Sequence, residues 1–264
     1  MTCQAYGPVA QGNRPAAQRA SRAMAALAAM TALLTLSVLP AMAANFTPPS
    51  GCRLEMTVQN RGCSVSQHYR CDADAPGDQW VTYFTPEGPT FQSRIDRETR
   101  WMESTDLRSG LTDLLEEEAP DHASFSTLLE TGRDDFDFWT RSSSGERLRH
   151  VGHDELTGEK VQIDGVALEI TRFELTTYGE TGQVLIQRRG QQYVSRAQGR
   201  FYGGAETSED WTGTAQQTND SPVTFSFPGQ PGFGSTKPEY DCDLQMVRGR
   251  DARSLWQLMK EART

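Results

Sequence analysis

The sequence predicts an α+β, mainly β chain. It reads as a curved antiparallel sheet, a half-barrel or open barrel, with an internal helical hairpin and a short C-terminal helix. Three observations carry this. Short runs that alternate apolar and polar residues recur with Asp, Pro and Gly turns between them, which favours a meander over a parallel sheet whose crossovers would each need a helix. Two stretches in the middle of the chain switch to helical spacing. The long run Val166–Thr177 changes phase: Val166, Leu168 and Ile170 share one face, Phe173 and Leu175 the other. That slip predicts a bulge or bend near Thr171–Arg172, as a curved sheet requires.

At the N-terminus, Arg14, Arg19 and Arg22 precede an apolar stretch from Ala23 to Leu39, then Pro40 and Ala41-Met42-Ala43. This order is that of a secretory signal peptide spanning residues 1–43 and cut after Ala43. The apolar run is short for a membrane span and no stop-transfer pattern follows, so the mature chain is expected to be periplasmic or secreted with no integral membrane span. Residues 44–264 then form a single β-rich domain. The removed segment holds three Arg and no acid, which moves the net charge from −9 to −12. Such an acid excess argues against nucleic acid or anionic lipid headgroups as partners, because phosphate binding needs a basic surface.

Cys3 leaves with the signal peptide, and Cys52, Cys63, Cys71 and Cys242 remain, an even set that reads as two disulfides in an exported protein. Cys52, Leu54, Met56 and Val58 alternate with polar residues, Gln59–Gly62 turns, and Cys63, Val65, Tyr69 and Cys71 alternate again. With Val58 opposite Cys63, the three cysteines share the apolar face and Cys52 falls opposite Tyr69, one diagonal step from Cys71. Cys63 is then roughly 20 Å from Cys52, beyond bridging distance. The pairing expected is Cys52–Cys71 and Cys63–Cys242.

After this hairpin come strand signals at Gln79–Phe84, Thr90–Asp96 and Arg100–Ser104. A helical hairpin is expected at about 107–131: Leu111, Leu114 and Leu115 sit at i, i+3, i+4, as do Phe125, Leu128 and Leu129. Asp121 is a candidate N-cap and Gly132 a stop signal. Strands resume at Asp135–Arg141, Arg147–Val151, Lys160–Asp164, Val166–Thr177, Gln183–Arg189, Gln191–Arg196, Pro222–Phe227 and Tyr240–Val247. Leu255, Leu258, Met259 and Ala262 mark the C-terminal helix.

Four groups of residues carry chemistry-bearing side chains. Asp72–Asp78 partly imitates a calcium loop, but Pro76 and Tyr83 stand where oxygen donors belong, and a polar turn accounts for the same residues. His150, His153 and Asp154 are the metal-ligand candidates, yet residues three apart on a strand point to opposite faces, so the imidazoles converge only if Gly152 turns the chain. Ser66 and His68 share the outer face of the second strand near Glu55, the residue types of an acyl-transfer triad, without a nucleophile elbow. The aromatic set Trp80, Tyr83, Phe84, Trp101, Phe136, Phe138 and Trp139 packs as core or, if the sheet curves, lines a cavity. A ligand surface is accordingly placed on Phe136, Phe138 and Trp139, with Leu111, Leu115, Phe125 and Leu128 from the helical hairpin. With neither a P-loop nor a dinucleotide fingerprint, no cofactor is expected.

The run Gly152…Leu156-Thr157-Gly158-Glu159-Lys160-Val161…Asp164-Gly165-Val166…Phe173-Glu174-Leu175 loosely resembles exported bacterial half-barrel proteins of the lipoprotein-carrier (LolA-like) type. The resemblance covers about a quarter of the chain and implies a curved antiparallel sheet closed by helices around an apolar cavity for acyl chains. The expectation is an exported, disulfide-stabilised, non-catalytic binding protein of the bacterial envelope that carries a hydrophobic or amphipathic ligand such as a lipid. An envelope protein–protein interaction module is the alternative, and a hydrolase or metal-dependent enzyme using His150 and His153 the third.

Overall fold

Alternating side chains build fourteen strands and one helix in the computed structural model, which describes residues 45–243. In chain order they are β1 (Cys52–Asn60), β2 (Ser64–Cys71), β3 (Gln79–Thr85), β4 (Gly88–Ile95), β5 (Trp101–Asp106), β6 (Thr112–Leu115), α1 (Phe125–Thr131), β7 (Arg133–Ser142), β8 (Arg147–Ile163), β9 (Val166–Gly179), β10 (Val184–Ser195), β11 (Arg200–Tyr202), β12 (Ala205–Asp210), β13 (Ala215–Asn219) and β14 (Pro222–Ser226). All pair antiparallel in one curved sheet of order β13-β12-β10-β9-β8-β7-β6-β5-β4-β3-β2-β1-β14. The sheet does not close: β13 and β14 are its edges. Besides β9, β10 serves two further partners, β12 through Ile186–Gly190 and β11 through Tyr193–Ser195. The predicted signal peptide and C-terminal helix lie outside the described residues.

Both expected disulfides are present, Cys52–Cys71 and Cys63–Cys242. The register that brings them together differs from the one the alternation suggested. Cys52 pairs directly with Cys71, a shift between Leu54 and Met56 follows, and Val58 stands opposite Ser66 instead of Cys63. The turn is a three-residue one, Arg61-Gly62-Cys63, with Gly62 at φ 69° and Cys63 at φ 57°. Because cross-strand partners share a face, moving Val58 from Cys63 to Ser66 transfers Ser66 and His68 from the outer face to the face of Met56 and Val58. The other face of β1–β2 is covered too. There Gln67 Nε2 donates to Ser235 O (2.6 Å), Gly234 N to Thr57 Oγ1 (2.8 Å) and Gln59 Nε2 to Lys237 O (2.9 Å), while Phe46 packs on Tyr69 and Phe84. The strap 233–242, tied down by Cys242, thus supplies backbone partners for three polar side chains that burial would otherwise leave unsatisfied.

The helical hairpin is not formed. Its first arm is a β-hairpin: Asp106 Oδ1 accepts from Arg108 N and Ser109 N, Gly110 takes φ 74°, and β6 returns alongside β5. The Asp106 turn and the left-handed Gly110 interrupt the helix that Leu111, Leu114 and Leu115 would need, and Leu114 ends exposed. The second arm is α1, capped by Ser124, whose Oγ accepts from Thr127 N, and not by Asp121; Gly132 ends it at φ 87°. Two expected strand breaks also vanish. β8 runs unbroken from Arg147 to Ile163 and β10 from Val184 to Ser195. Residues 240–243, expected to open a strand, bend at Tyr240 and Asp241 and become helical at Cys242 and Asp243.

The phase slip in β9 is real, and its bulge lies on the neighbouring strand. The β8–β9 register shifts between Leu156 and Lys160, and Thr157 Oγ1 in that gap donates to Ile170 O (3.0 Å). Leu168 faces a core with Met56, Val58, Tyr202 and Phe225. Phe173 and Leu175, on the opposite face, join Phe136 and Phe138. A third cluster joins Phe125 and Leu128 of α1 to Val194. β9 therefore lies between two cores, with β1 and β14 on one side and β7 on the other.

Candidate functional site

The inward register of β2 creates a buried polar cluster between β1–β3 and β11. Ser66 and His68 are 1% and 3% exposed, and Ser66 Oγ meets His68 Nε2 at 2.9 Å. Asn60 Nδ2 donates to Ser66 Oγ (3.3 Å), so the Ser66 proton is free to go to His68 Nε2 or, at 3.5 Å, to Val58 O. The ring tautomer decides between the two: when Ser66 donates to Nε2 the ring carries its proton on Nδ1, and when Nε2 is protonated the ring donates to Ser66 Oγ and the hydroxyl to Val58 O. His68 Nδ1 has no hydrogen-bond partner. Burial, and after it the Arg200 charge, holds the imidazole well below its ordinary pKa and keeps it neutral. No carboxylate aligns the ring, and this departs from a triad.

Tyr202 and Arg200 face the same space from β11, two residues apart on one strand face. The Tyr202 ring lies edge-on to His68 (5.7 Å), and the Arg200 guanidinium stands 5.8 Å from the Tyr202 centroid. Tyr202 OH donates to Gln198 Oε1. Gln79 on β3 clamps the β10–β11 turn, with Nε2 donating to Gln198 O (3.1 Å) and Gly199 O (2.9 Å), while its Oε1 accepts from Arg200 Nη1 (3.2 Å). Among the described residues that amide is the one hydrogen-bond acceptor of the Arg200 side chain, which is 5% exposed and whose Nε lacks an acceptor. Burial works against the guanidinium charge, and burial also raises the Tyr83 and Tyr202 phenols. The cluster therefore holds two buried nitrogens without a partner, Arg200 Nε and His68 Nδ1.

The sequence did not single out Arg200, Tyr202 or Gln79. The available signal is the segment Gly199-Arg200-Phe201-Tyr202-Gly203-Gly204, in which Arg and Tyr share one face of a strand flanked by glycines. Gly204 is needed because a Cβ there would meet Gln191 O at 2.0 Å.

The metal candidates are separated. His150 points inward, 3.0 Å from Thr140 Oγ1 and 3.1 Å from Thr177 Oγ1, with its ring against Phe138 and Trp101. His153 is on the opposite face, where its charge acts on Asp135. Gly152 stays in the ladder opposite Phe136 and Leu175 and does not turn the chain. Among the described residues no set of three or more His, Cys, Asp or Glu could hold a metal. Asp154 instead pairs across the ladder with Asp134. Burial and the Asp134 charge push Asp154 up to about 7, and burial raises Asp134 to about 6 although it accepts the Ser124 N–H at the start of α1 (2.8 Å). In the Asp72–Asp78 turn, Asp74 accepts from Trp80 Nε1 (2.7 Å) and Asp78 from Arg94 (2.8 Å), so those carboxylates already have internal partners.

The proposed ligand residues are split. Phe136 and Phe138 are buried in a cluster with Phe173 and Leu175, over which Leu115, Ala119 and Ala123 lie. Phe125 and Leu128 anchor α1 on Val194. Trp139 points the other way, beneath the Arg147 guanidinium (4.4 Å), and Leu111 sits half-buried in the β5–β6 hairpin. Trp80 stacks on Tyr69. An open groove of about 710 Å³ runs along Phe46, Phe84, Pro89 and Pro238 on the outer side of β3–β4. No protein-family model, curated protein or solved structure matches this chain.

Proposed function

We propose that this is an exported, disulfide-stabilised binding protein of the bacterial envelope that carries a hydrophobic or amphipathic ligand against the concave face of its sheet. The observation that carries the reading is the cover over that face. The end of β6 and the segment that follows it lie across the Phe136–Phe138–Phe173–Leu175 cluster and offer it Leu115, Ala119 and Ala123, while α1 beyond them packs on Val194. The rings are buried beneath this segment, yet residues 116–124 form no helix or strand and are tied to the sheet by the isolated Asp121–Asp137 bridge, so the cover has little regular structure of its own to hold it. The N-terminus of α1 is held largely by two carboxylates, Asp134 on Ser124 N and Glu98 on Ser126 N (2.9 Å). Displacing this cover would present an apolar surface open on one side. The curved, unclosed sheet is also what the half-barrel resemblance implies.

Native mass spectrometry of the protein purified from a periplasm, with an organic extract of the same sample, tests the reading. A bound mass of a few hundred daltons that extracts into solvent supports it. A disulfide engineered between the cover and β7 should then abolish loading. An apo mass in every preparation and no uptake of lipid from vesicles would refute it.

The alternative, a protein-interaction module, has its own observation. The β13 edge, Ala215-Gln216-Gln217-Thr218-Asn219, carries no charge or proline to block strand addition. Nearby, Trp211 is 60% exposed and Val184 40%, joined through the Trp211 N–Leu185 O bond. A Gln217→Pro change would abolish partner capture in this reading and leave lipid uptake intact.

A further inference from the structure

We propose that the interior beside Tyr202 is a binding site for a single acidic group, a carboxylate or a phosphate, received by Arg200 with His68 as a second donor. The inference goes beyond ligand carriage and does not depend on it, since a free anion would satisfy the same donors.

A guanidinium removed from water is costly unless a carboxylate or several hydrogen bonds compensate. Elsewhere in the chain this rule is obeyed: Arg94 has Asp78, Arg100 has Asp96 and Arg188 has Glu206. Arg200 is more buried than any of these and has one amide oxygen. Its charge is felt by His68, Tyr83 and Tyr202, none of which is an anion at neutral pH, because burial pushes both phenols up and the imidazole down. The carboxylate of Glu55 is already taken by Arg53 and Arg70. His68 repeats the pattern, since Ser66 occupies Nε2 and leaves Nδ1 without a partner; in the tautomer protonated on Nδ1 that nitrogen is a second donor.

Two buried and unpartnered nitrogens, Arg200 Nε and His68 Nδ1, therefore belong to groups that lie against the same Tyr202 ring. Tyr202 OH is turned away, toward Gln198 and Met56. A group with two oxygens fits this set, because Arg Nε–H and an imidazole N–H each take one oxygen, and the guanidinium supplies the countercharge. Gln79 fixes the site by joining β3 to the β10–β11 turn, so the donors are held before the ligand arrives.

The test uses the exported protein with its disulfides intact, in a zwitterionic buffer, titrated with acetate, inorganic phosphate and dodecanoate. Calorimetry gives the affinity and thermal unfolding the midpoint. In the wild type at least one of the three should bind saturably and raise the midpoint, and Arg200→Met should weaken it by about tenfold or more. Without ligand, Arg200→Met should unfold at the same or a higher midpoint, because it removes an unpaired buried charge. Arg200→Gln makes the same comparison should the Met variant fail to fold. Binding of acetate or phosphate identifies a free anion as sufficient, and binding of dodecanoate alone identifies the acidic end of an amphipath. The proposal is overturned if none of the three binds, if binding survives Arg200→Met, or if both variants unfold well below the wild type in buffer alone.

Discussion

Replacing Asp154 by Asn should stabilise the protein at high pH and leave it nearly unchanged at low pH. In the folded state the Asp154 carboxyl, desolvated and facing Asp134, is pushed from its ordinary 3.8 up to about 7. Between those two values the folded chain holds a proton that the unfolded chain releases. Stability therefore falls as pH rises through this window, at about 1.4 kcal/mol per pH unit for one group. Over roughly three units the full loss is about 4 kcal/mol. The residue is partly accessible, and solvent screening brings the expected value to about 2–3 kcal/mol. Asn is close in shape and carries no charge at any pH. Chemical denaturation of wild type and Asp154→Asn, repeated from pH 4 to pH 8.5, gives the difference between two stability curves. That subtraction cancels the carboxylates that both proteins share, including Asp135, Glu98 and Glu169, whose lowered values act in the opposite sense. The gap should be near zero at pH 4, open steadily to pH 7 and stay level above it. Parallel curves would show that Asp154 is solvated and that the Asp134–Asp154 pair stores no repulsion.

Gly152→Ala should cost more than about 3 kcal/mol or prevent folding, because a Cβ at that position would lie 2.1 Å from Glu174 O and backbone on both strands would have to part; the same change at the turn Gly145, where the space is open and only the φ of 92° is strained, should cost about 1–2 kcal/mol by the same denaturation. Removing Cys63–Cys242, which spans a sequence separation of 179, should cost about 5 kcal/mol against about 3 kcal/mol for Cys52–Cys71 with its separation of 19. Hydrogen exchange on the Cys63/Cys242 double Ser variant should show Gly234 N and Glu239 N losing protection before the β7–β9 ladder does, since both bond side chains under the strap. Leu128→Ala should cost about 2–5 kcal/mol, the range for a buried leucine that leaves a cavity, and a value below about 1 kcal/mol would mean that α1 does not pack as described.

What the sequence revealed and what it concealed follow from how local each signal is. Cysteine parity, an exported context and strand alternation were enough for both disulfides, because only one pairing survived the distance limit. The register itself was not recoverable. Whether Val58 meets Cys63 or Ser66 depends on a three-residue turn whose Cys63 is held at positive φ while bonded to Cys242, 179 residues away. The helix at Phe125–Thr131 was legible from its spacing, and its expected partner over 107–118 was not. The leucine spacing there fits a helix, but the Asp106 turn and Gly110 favour a hairpin, and a pattern of three leucines does not weigh them. Arg200 was invisible for a related reason. A three-residue strand is too short to show a period, and nothing in a sequence marks an arginine whose countercharge is missing.

The one-face, one-core picture of a sheet explains why the site was misplaced. Ser66, His68 and Arg70 alternate with Val65, Gln67 and Tyr69, and in a sheet with one dry face the polar set would go to solvent. Here β2 is dry on both faces, under the strap on one and against β1 and β11 on the other, and β9 is likewise buried on two sides. A polar residue on such a strand must find an internal partner, and most do: Thr57 with Gln67, Gln59 with the strap, Ser66 with His68. Thr82 on β3 and Thr171 on β9 are exceptions that each leave one hydroxyl unpartnered. His68 and Arg200 are exceptions of another kind: their unpartnered nitrogens lie beside the same tyrosine, and a buried guanidinium without a countercharge specifies the charge of the group that would complete it.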